Sequence, residues 1–149
     1  MNVYQRKKHH KYRKRTDFYH INMLRMIILN YNMQGRVVDK NDAVMFDIDD
    51  TLISSRTGNI INQAYDIYKI VKSQGYKIII ITARPGFDKN IKFTEEQLAF
   101  HNITYDALVF TPPENKGSFK RNSRYNFILS VGDMDTDLTD SVYNVKIST

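Results

Sequence analysis

Short apolar runs recur along the chain, and polar side chains follow most of them directly. These runs occupy residues 43–46, 77–82, 107–110 and 127–131. Continuous apolar runs of this length are typical of strands buried on both faces of a parallel sheet. Between the first two runs, residues 62–74 show helical spacing, and Gly75 follows as a stop. Strand, helix and strand in this order predict a right-handed βαβ unit, with Thr82 beside Asp47 at one sheet edge.

The rest of the pattern predicts further helices and one more strand. A first helix is expected from Asp17, as its cap, to Gln34 before Gly35. Another is expected to begin at Thr94, where Thr94 and Gln97 fit a capping box, and to end near Asn102. The remaining predictions are a short helix within 116–124, a helical turn at 137–141 and an edge strand at 143–147.

These elements together predict an α/β fold. We expect a Rossmann-like three-layer sandwich whose parallel sheet has the strand order 3-2-1-4-5. In open sheets of this kind, ligands bind at the carboxyl ends of the strands. That edge is therefore where the chemistry of this chain is predicted to lie.

Polar residues suited to phosphate chemistry follow four of the predicted strands. Carboxylates cluster after the first and fourth strands, and hydroxyl and basic groups follow the second and third: Asp47, Asp49, Asp50, Thr82, Arg84, Lys116, Lys120, Asp133, Asp135 and Asp137. Clustered carboxylates repel one another, so a cation or a chemical task is expected there. Carboxylate oxygens suit Mg²⁺, and Thr and Lys donate to phosphate oxygens. The combination predicts phosphoryl transfer.

The formal net charge of +6 comes from the N-terminal end. Residues 1–15 contain seven Lys or Arg and no acid, which leaves 15 basic against 16 acidic residues elsewhere. We interpret residues 1–16 as a basic, disordered tail and residues 17–149 as a single domain. Such a tail binds phosphates, directs nuclear import or stays solvated, and the sequence leaves these alternatives open.

Composition also bears on the compartment. The chain has no cysteine, and no apolar run approaches the roughly 20 residues needed to span a bilayer. The charged N-terminus does not fit a secretion signal. We therefore expect an intracellular, soluble protein of the cytoplasm or nucleus, without a membrane partner.

Four motifs in this chain resemble those of haloacid dehalogenase-like phosphatases. The motifs are DIDDT at 47–51, Thr82, a downstream lysine, and Gly132-Asp133 followed by Asp137, and the resemblance covers residues 43–148. The segments 81–85, 119–124 and 132–138 are similar to the acid-phosphatase branch, of class B or vegetative-storage-protein type. Where that branch has Gln-Trp-Ser in the last motif, this chain has Met134-Asp135-Thr136.

The resemblance implies a Mg²⁺-dependent phosphomonoesterase that works through an aspartyl-phosphate. Asp47 would be the nucleophile, and Asp49 would be the general acid and base. Thr82 would hold a phosphoryl oxygen, and Lys120 would neutralise the transferring group. Implied Mg²⁺ ligands are Asp47, Asp49 through its carbonyl, and Asp133, with Asp137 in support. Implied substrate-binding residues are Thr51, Ala83 and Arg84.

Several of these assignments have alternatives. Lys116 competes for the third-motif role, and Lys120 is preferred because Arg124 follows it by four residues. Arg84 recognises substrate or merely covers the sheet edge. The hydroxyl of Thr82 would otherwise satisfy local backbone. Two further acids, Asp50 and Asp135, cap local turns or touch the metal.

The spacing between motifs leaves no room for a cap domain. Helix and strand occupy most of the intervals from Asp49 to Thr82 and from Thr82 to Lys120, so only the polar loop at 54–61 remains as a flap. The resemblance then implies an open site for bulky phosphorylated substrates, or a lid from a second subunit of a homo-oligomer. The alternatives are a phosphatase for polynucleotide ends that uses the basic tail on nucleic acid, and a non-catalytic binding module.

Overall fold

The computed structural model describes residue 26 and residues 29–149. The chain divides into two compact units, residues 1–37 and 38–149, and the second contains the whole sheet. In the first unit, residues 29–34 are helical and the helix ends before Gly35, as predicted. The start of that helix at Asp17 and the basic tail lie outside the described residues.

The second unit is built on five parallel strands in the order β3-β2-β1-β4-β5, which confirms the predicted fold class. The strands are β1 (Asp42–Phe46), β2 (Lys77–Thr82), β3 (Ala107–Phe110), β4 (Asn126–Gly132) and β5 (Tyr143–Lys146). The helices are α1 (Asn62–Ser73), α2 (Asp88–Phe100) and α3 (Lys116–Asn122). Short 3-10 turns occupy Pro113–Asn115 and Asp135–Asp137.

The core lies on both faces of the sheet, because alternate residues of a strand point to opposite sides. On one face, Met45 and Ile81 belong to a buried cluster against which Phe119 of α3 packs. On the other face, Phe46 contacts Tyr68 of α1 edge to face, with ring centroids 6.1 Å apart. Helices therefore cover both faces of the sheet.

The predicted start of α2 at Thr94 is wrong. The helix begins at Asp88, after Phe87, so the segment that resembles a capping box lies inside it. Thr94 is fully buried, and its hydroxyl accepts a hydrogen bond from Nη1 of Arg84 at 3.1 Å. Thr94 therefore makes a tertiary contact and does not cap the helix. Asp88 in the first turn suits the positive end of the helix dipole.

The predicted helical turn at 137–141 is also displaced. A 3-10 turn occupies Asp135–Asp137 instead. The backbone N–H of Asp137 donates to the carbonyl of Met134 at 3.0 Å, and the N–H of Met134 donates to Oδ2 of Asp137 at 3.1 Å. This reciprocal pair closes the turn before Asp137 and directs its carboxylate back toward β4.

Among the described residues, no helix has the length and apolar character required to cross a membrane.

Candidate active site

Asp47 lies where β1 ends, and its backbone continues the sheet. Its N–H donates to the carbonyl of Val131 on β4 at 3.1 Å, so Asp47 stays in line with the strand. Its side chain and those of Asp133 and Asp137 converge, with one carboxylate oxygen from each within 4.8 Å of the others. Asp47 is only 6% exposed. The two loops that follow adjacent parallel strands thus supply one acidic pocket.

A glycine makes this convergence possible. If Gly132 carried a Cβ, that atom would lie 2.2 Å from Cβ of Asp137, which is far inside van der Waals contact. The absence of a side chain at the end of β4 lets the 3-10 turn fold back onto the strand. This places the Asp137 carboxylate in the pocket.

Lys116 supplies the positive charge of the pocket. Its ammonium donates to Oδ1 of Asp47 at 2.9 Å and to Oδ1 of Asp137 at 2.6 Å. The side chain is 3% exposed. Lys116 is the first residue of α3, and the 3-10 turn at Pro113–Asn115 leads the chain into that position.

Lys120, the preferred third-motif lysine, does not contact Asp47. Its ammonium donates to Oγ of Ser130 at 2.9 Å and to the carbonyls of Asp137 and Thr139 at 2.6 and 2.8 Å. Burial lowers the pKa of Lys120 to about 8. Arg124, which supported the choice of Lys120, instead contacts Tyr125. The geometry favours Lys116 at the site and gives Lys120 a structural position.

The sequence contained a signal that separates the two lysines. A helix that follows a parallel strand starts at the carboxyl edge of the sheet and runs back toward the amino edge. Lys116 and Lys120 are one turn apart on the same face, so the second lies about 6 Å further from the edge. The lysine at the start of the helix is therefore the one that reaches the strand ends.

Two threonines border the acidic pocket. Thr51 is fully buried, and its hydroxyl lies 3.4 Å from Oδ2 of Asp47 and 3.4 Å from Oδ1 of Asp133. Thr82 ends β2 beside β1, and its Oγ1 accepts the backbone N–H of Arg84 at 3.2 Å. The hydroxyl of Thr82 thus satisfies local backbone as an acceptor, while its own proton remains available to an oxygen of a substrate.

Asp49 turns toward Arg84. The guanidinium donates through Nε and Nη2 to the two carboxylate oxygens of Asp49, at 2.9 and 2.8 Å. The same guanidinium lies 5.9 Å from the ring centroid of Phe93 on α2. Arg84 is thus held against the site, and it does more than cover the sheet edge. Its neighbour Ala83 is exposed.

The remaining acids of the motifs make local contacts. The carboxylate of Asp50 accepts the backbone N–H and hydroxyl of Ser55, each at 2.9 Å, which stabilises the turn after β1. Asp50 itself has a positive φ of 58°. Asp135 is exposed and forms an ion pair with Lys146 at 2.9 Å. Neither contacts the acidic pocket.

The electrostatics of the pocket favour a cation. Burial raises the pKa of Asp47 to about 7, and Asp137 and Asp133 add to this while Lys116 opposes it. Burial alone would lower the pKa of Lys116, but attraction to Asp47 and Asp137 raises it overall. Three carboxylates against one ammonium leave the pocket negative. A divalent cation that prefers hard oxygen ligands fits this donor set.

The segment between β1 and α1 forms a small flap. Ile53 pairs with Ile60 as an isolated antiparallel bridge, and the N–H of Ser54 donates to the carbonyl of Asn59 at 2.9 Å. A nitrogen of the His101 ring lies 3.0 Å from the carbonyl of Gly58 near its tip. Between β1 and β2 the described chain holds only this flap and α1, and between β2 and β3 only α2 with its connections.

Comparison with known proteins agrees with this architecture. Residues 44–106 match the family model of haloacid dehalogenase-like hydrolases. A chain in a solved Pnkp1/Rnl/Hen1 complex aligns with a TM-score of 0.57 and 21% identity, over 68% of this chain and 42% of that chain. A chain in a Pnkp1/Rnl/Hen1 RNA repair complex aligns with a TM-score of 0.48 and 22% identity, over 63% and 37%.

This chain therefore spans less than half the length of those two structural neighbours. No curated protein matches it significantly. The matched segment contains Asp47, Asp49 and Thr82, and the sheet order agrees with the same fold. The domain has the Rossmann-like α/β fold of haloacid dehalogenase-like hydrolases.

Proposed function

We propose that this chain is a Mg²⁺-dependent phosphomonoester hydrolase that works through an aspartyl-phosphate on Asp47. The observation that carries the proposal is the cluster of buried Asp47 and Asp137 with half-buried Asp133, and with Lys116 against it. An ordinary core does not bury two acids beside one lysine, with a third acid half-buried, without a function, because desolvating charge is costly.

In the proposed reaction, a carboxylate oxygen of Asp47 attacks the phosphorus of the substrate. The bond from phosphorus to the leaving oxygen breaks, and Asp49 gives that oxygen a proton. In the second step Asp49 takes a proton from water, whose oxygen attacks the aspartyl-phosphate. Asp47 is released as a carboxylate, and inorganic phosphate leaves. Arg84 must share or release Asp49 during this cycle, since it now holds both oxygens of that carboxylate.

The other residues of the pocket hold charge and oxygen atoms. Lys116 offsets the negative charge of Asp47 and of the phosphoryl group, and Thr82 donates its hydroxyl proton to a phosphoryl oxygen. A bound Mg²⁺ would neutralise the transferring group as a Lewis acid. Asp47 and Asp133 would hold it, with the carbonyl of Asp49. Asp137 would support them, because its two oxygens already accept from Lys116 and Met134.

The test is phosphate release from nucleotides, sugar phosphates, phosphopeptides and phosphorylated oligonucleotides, with Mg²⁺ and with chelator. Wild type and Asp47→Asn are compared at matched concentration. We expect release by wild type with Mg²⁺ only, and a loss of at least about a hundredfold in the variant, as for removal of a covalent nucleophile. Equal rates for the two proteins would refute the nucleophile assignment.

A second candidate is phosphatase action on the ends of polynucleotides. It is favoured by the short connections between the described strands, which hold no inserted domain, and by the basic residues at 1–15. The solved neighbour of similar fold belongs to a Pnkp1/Rnl/Hen1 complex, which is consistent with this candidate. The acid-phosphatase-like alternative predicts broad hydrolysis of small phosphate esters, without a preference for polynucleotide ends. The substrate comparison above separates the two.

A further inference from the structure

Two exposed aromatic side chains lie in the sequence soon after the carboxyl end of β2. Phe87 precedes α2 and Phe93 lies in its second turn, and each is 59% exposed. Both follow the carboxyl end of β2, so they lie at the same sheet edge as Asp47. Phe93 also contacts Arg84, which pairs with Asp49. Through Arg84, Phe93 is thus linked by direct contacts to Asp49, the acid and base of the proposed reaction.

The charge of this surface changes along α2. Lys89 and Lys92 are exposed in the first two turns, and Lys89 lies one turn before Phe93 on the same helix face. Glu95 and Glu96, also exposed, follow Phe93. The basic groups and two of the exposed aromatic rings therefore lie at the start of the helix, together with the acidic Asp88. We call Arg84, Phe87, Lys89 and Phe93 the aromatic rim.

We propose that the aromatic rim binds the terminal nucleotide of a single-stranded nucleic acid whose end phosphate enters the pocket. A flat, exposed phenylalanine beside cations suits a base on its face and phosphodiesters around it. The cations of the rim, Arg84 and Lys89, match the charge of the phosphodiesters that precede the terminal nucleotide. This proposal rests on the phosphatase function proposed above and adds the surface that selects the substrate.

The helix itself provides a matched control. Phe100 lies on the same face of α2 as Phe93, is 81% exposed and is at the opposite end of the helix, where its ring contacts His101. Phe93→Ala and Phe100→Ala remove the same exposed ring from one helix. Phe93→Tyr keeps an aromatic face, whereas Phe93→Leu keeps only apolar volume.

The test compares a terminally phosphorylated oligonucleotide, the same oligonucleotide with an abasic terminal residue, and glycerol phosphate, which has no ring. We expect Phe93→Ala and Phe93→Leu to reduce the preference for the oligonucleotide over glycerol phosphate about tenfold, as kcat/KM, which is the usual effect of one lost stacking contact. Phe93→Tyr and Phe100→Ala should keep the preference, and the abasic oligonucleotide should be insensitive to Phe93→Ala.

Binding gives an independent readout. Fluorescence anisotropy of the phosphorylated oligonucleotide with Asp47→Asn measures affinity without turnover, and adding Phe93→Ala should weaken it about tenfold. If wild type releases phosphate from none of the substrates, the phosphatase proposal fails. The binding experiment then still tests whether the aromatic rim binds the oligonucleotide. Unchanged affinity and preference in Phe93→Ala would overturn the rim proposal. So would a larger effect of Phe93→Ala on a phosphotyrosine peptide than on the oligonucleotide, which would indicate a protein substrate.

Discussion

At the scale of single residues, the two buried lysines of α3 have separable roles. Lys116 bridges Asp47 and Asp137, while Lys120 bridges the carbonyls of Asp137 and Thr139 and the hydroxyl of Ser130. We expect Lys116→Met to lower kcat/KM by about a hundredfold or more, as when a group that stabilises transition-state charge is removed. We expect Lys120→Met to lower the free energy of unfolding by about 1–3 kcal/mol, because it leaves buried carbonyls without a donor.

Kinetics and chemical denaturation measure these two effects, with activity recorded below the unfolding transitions of both variants. If Lys120→Met proved the more damaging to turnover in well-folded protein, the assignment of Lys116 would be wrong. The preference for Lys120 that arose from the sequence would then be restored.

Asp47 makes the metal-free protein sensitive to pH. Its pKa in the folded state is about 7, against 3.8 for the unfolded chain. The folded state therefore binds the proton more tightly, and the stability this gives is complete below pH 3.8 and lost as the pH rises through 7. In Asp47→Asn the side chain cannot ionise, so the variant does not lose this stability as the pH rises. With chelator present, we expect the variant to be more stable than wild type at pH 8 by about 1 kcal/mol or more, at about 1.4 kcal/mol per unit of pKa shift.

Thermal unfolding of both proteins at pH 5 and pH 8 checks this expectation. The advantage of Asp47→Asn should be smaller at pH 5, where wild-type Asp47 is already protonated. An advantage that is the same at both pH values would mean that the carboxylate charge is not the cause.

At the scale of elements, the turn after β4 depends on Gly132. A methyl group there would overlap Asp137, whereas a Cβ at Gly117 would meet the ends of the Asp140 and Thr139 side chains, which can move. We therefore expect Gly132→Ala to abolish detectable phosphate release and to destabilise the domain by about 1–3 kcal/mol, the usual cost of overpacking. Gly117→Ala, the matched control, should retain activity. Similar behaviour of the two variants in phosphate release and thermal unfolding would contradict this explanation.

The elements themselves were predictable to different degrees. The limits of β2 and β3 and the strand order followed from continuous apolar runs and the handedness of βαβ crossovers. The start of α2 could not be predicted in this way, because residues 88–93 of its first turns are mostly polar or exposed and carry no apolar stripe. Thr94 was mistaken for a cap since a buried threonine bonded to a distant arginine looks the same in sequence.

The site was predictable where strand ends fix it. Asp47 and Asp133 follow adjacent parallel strands, so the strand order alone predicts that their side chains converge. The bidentate pair of Arg84 with Asp49 depends on side-chain directions in two loops, which local sequence does not determine. The same holds for the closure of Asp137 onto Gly132.

At the scale of the whole molecule, a divalent cation should stabilise the domain. If the cation binds the folded pocket and not the unfolded chain, excess Mg²⁺ raises the unfolding temperature, and the rise grows with the logarithm of the Mg²⁺ concentration above the Kd. We expect a rise for wild type that is lost in Asp133→Asn, measured by thermal unfolding with Mg²⁺ and with chelator. A matched control is Asp135→Asn, whose exposed side chain pairs with Lys146 outside the pocket. An equal rise in Asp133→Asn and wild type would place the cation elsewhere.

The basic N-terminal residues give a second prediction at this scale. If they guide nucleic-acid substrates, deletion of residues 1–15 should reduce turnover of phosphorylated oligonucleotides and flatten its salt dependence, since fewer counterions are released. Hydrolysis of a small aryl phosphate should persist. Loss of both activities together would indicate that the segment has a role in folding, and complete absence of hydrolysis before deletion would favour a binding module.

The arrangement of α3 also has a consequence for how this protein tolerates genetic change. This seven-residue helix carries two lysines four positions apart, of which Lys116 contacts Asp47 and Lys120 contacts backbone carbonyls. In a mutational scan scored by cellular abundance, substitutions of Lys120 should have the stronger effect. In a scan scored by turnover, substitutions of Lys116 and of Lys120 should both have strong effects. Comparing the two maps would separate chemistry from architecture on a single short helix, without any purified protein.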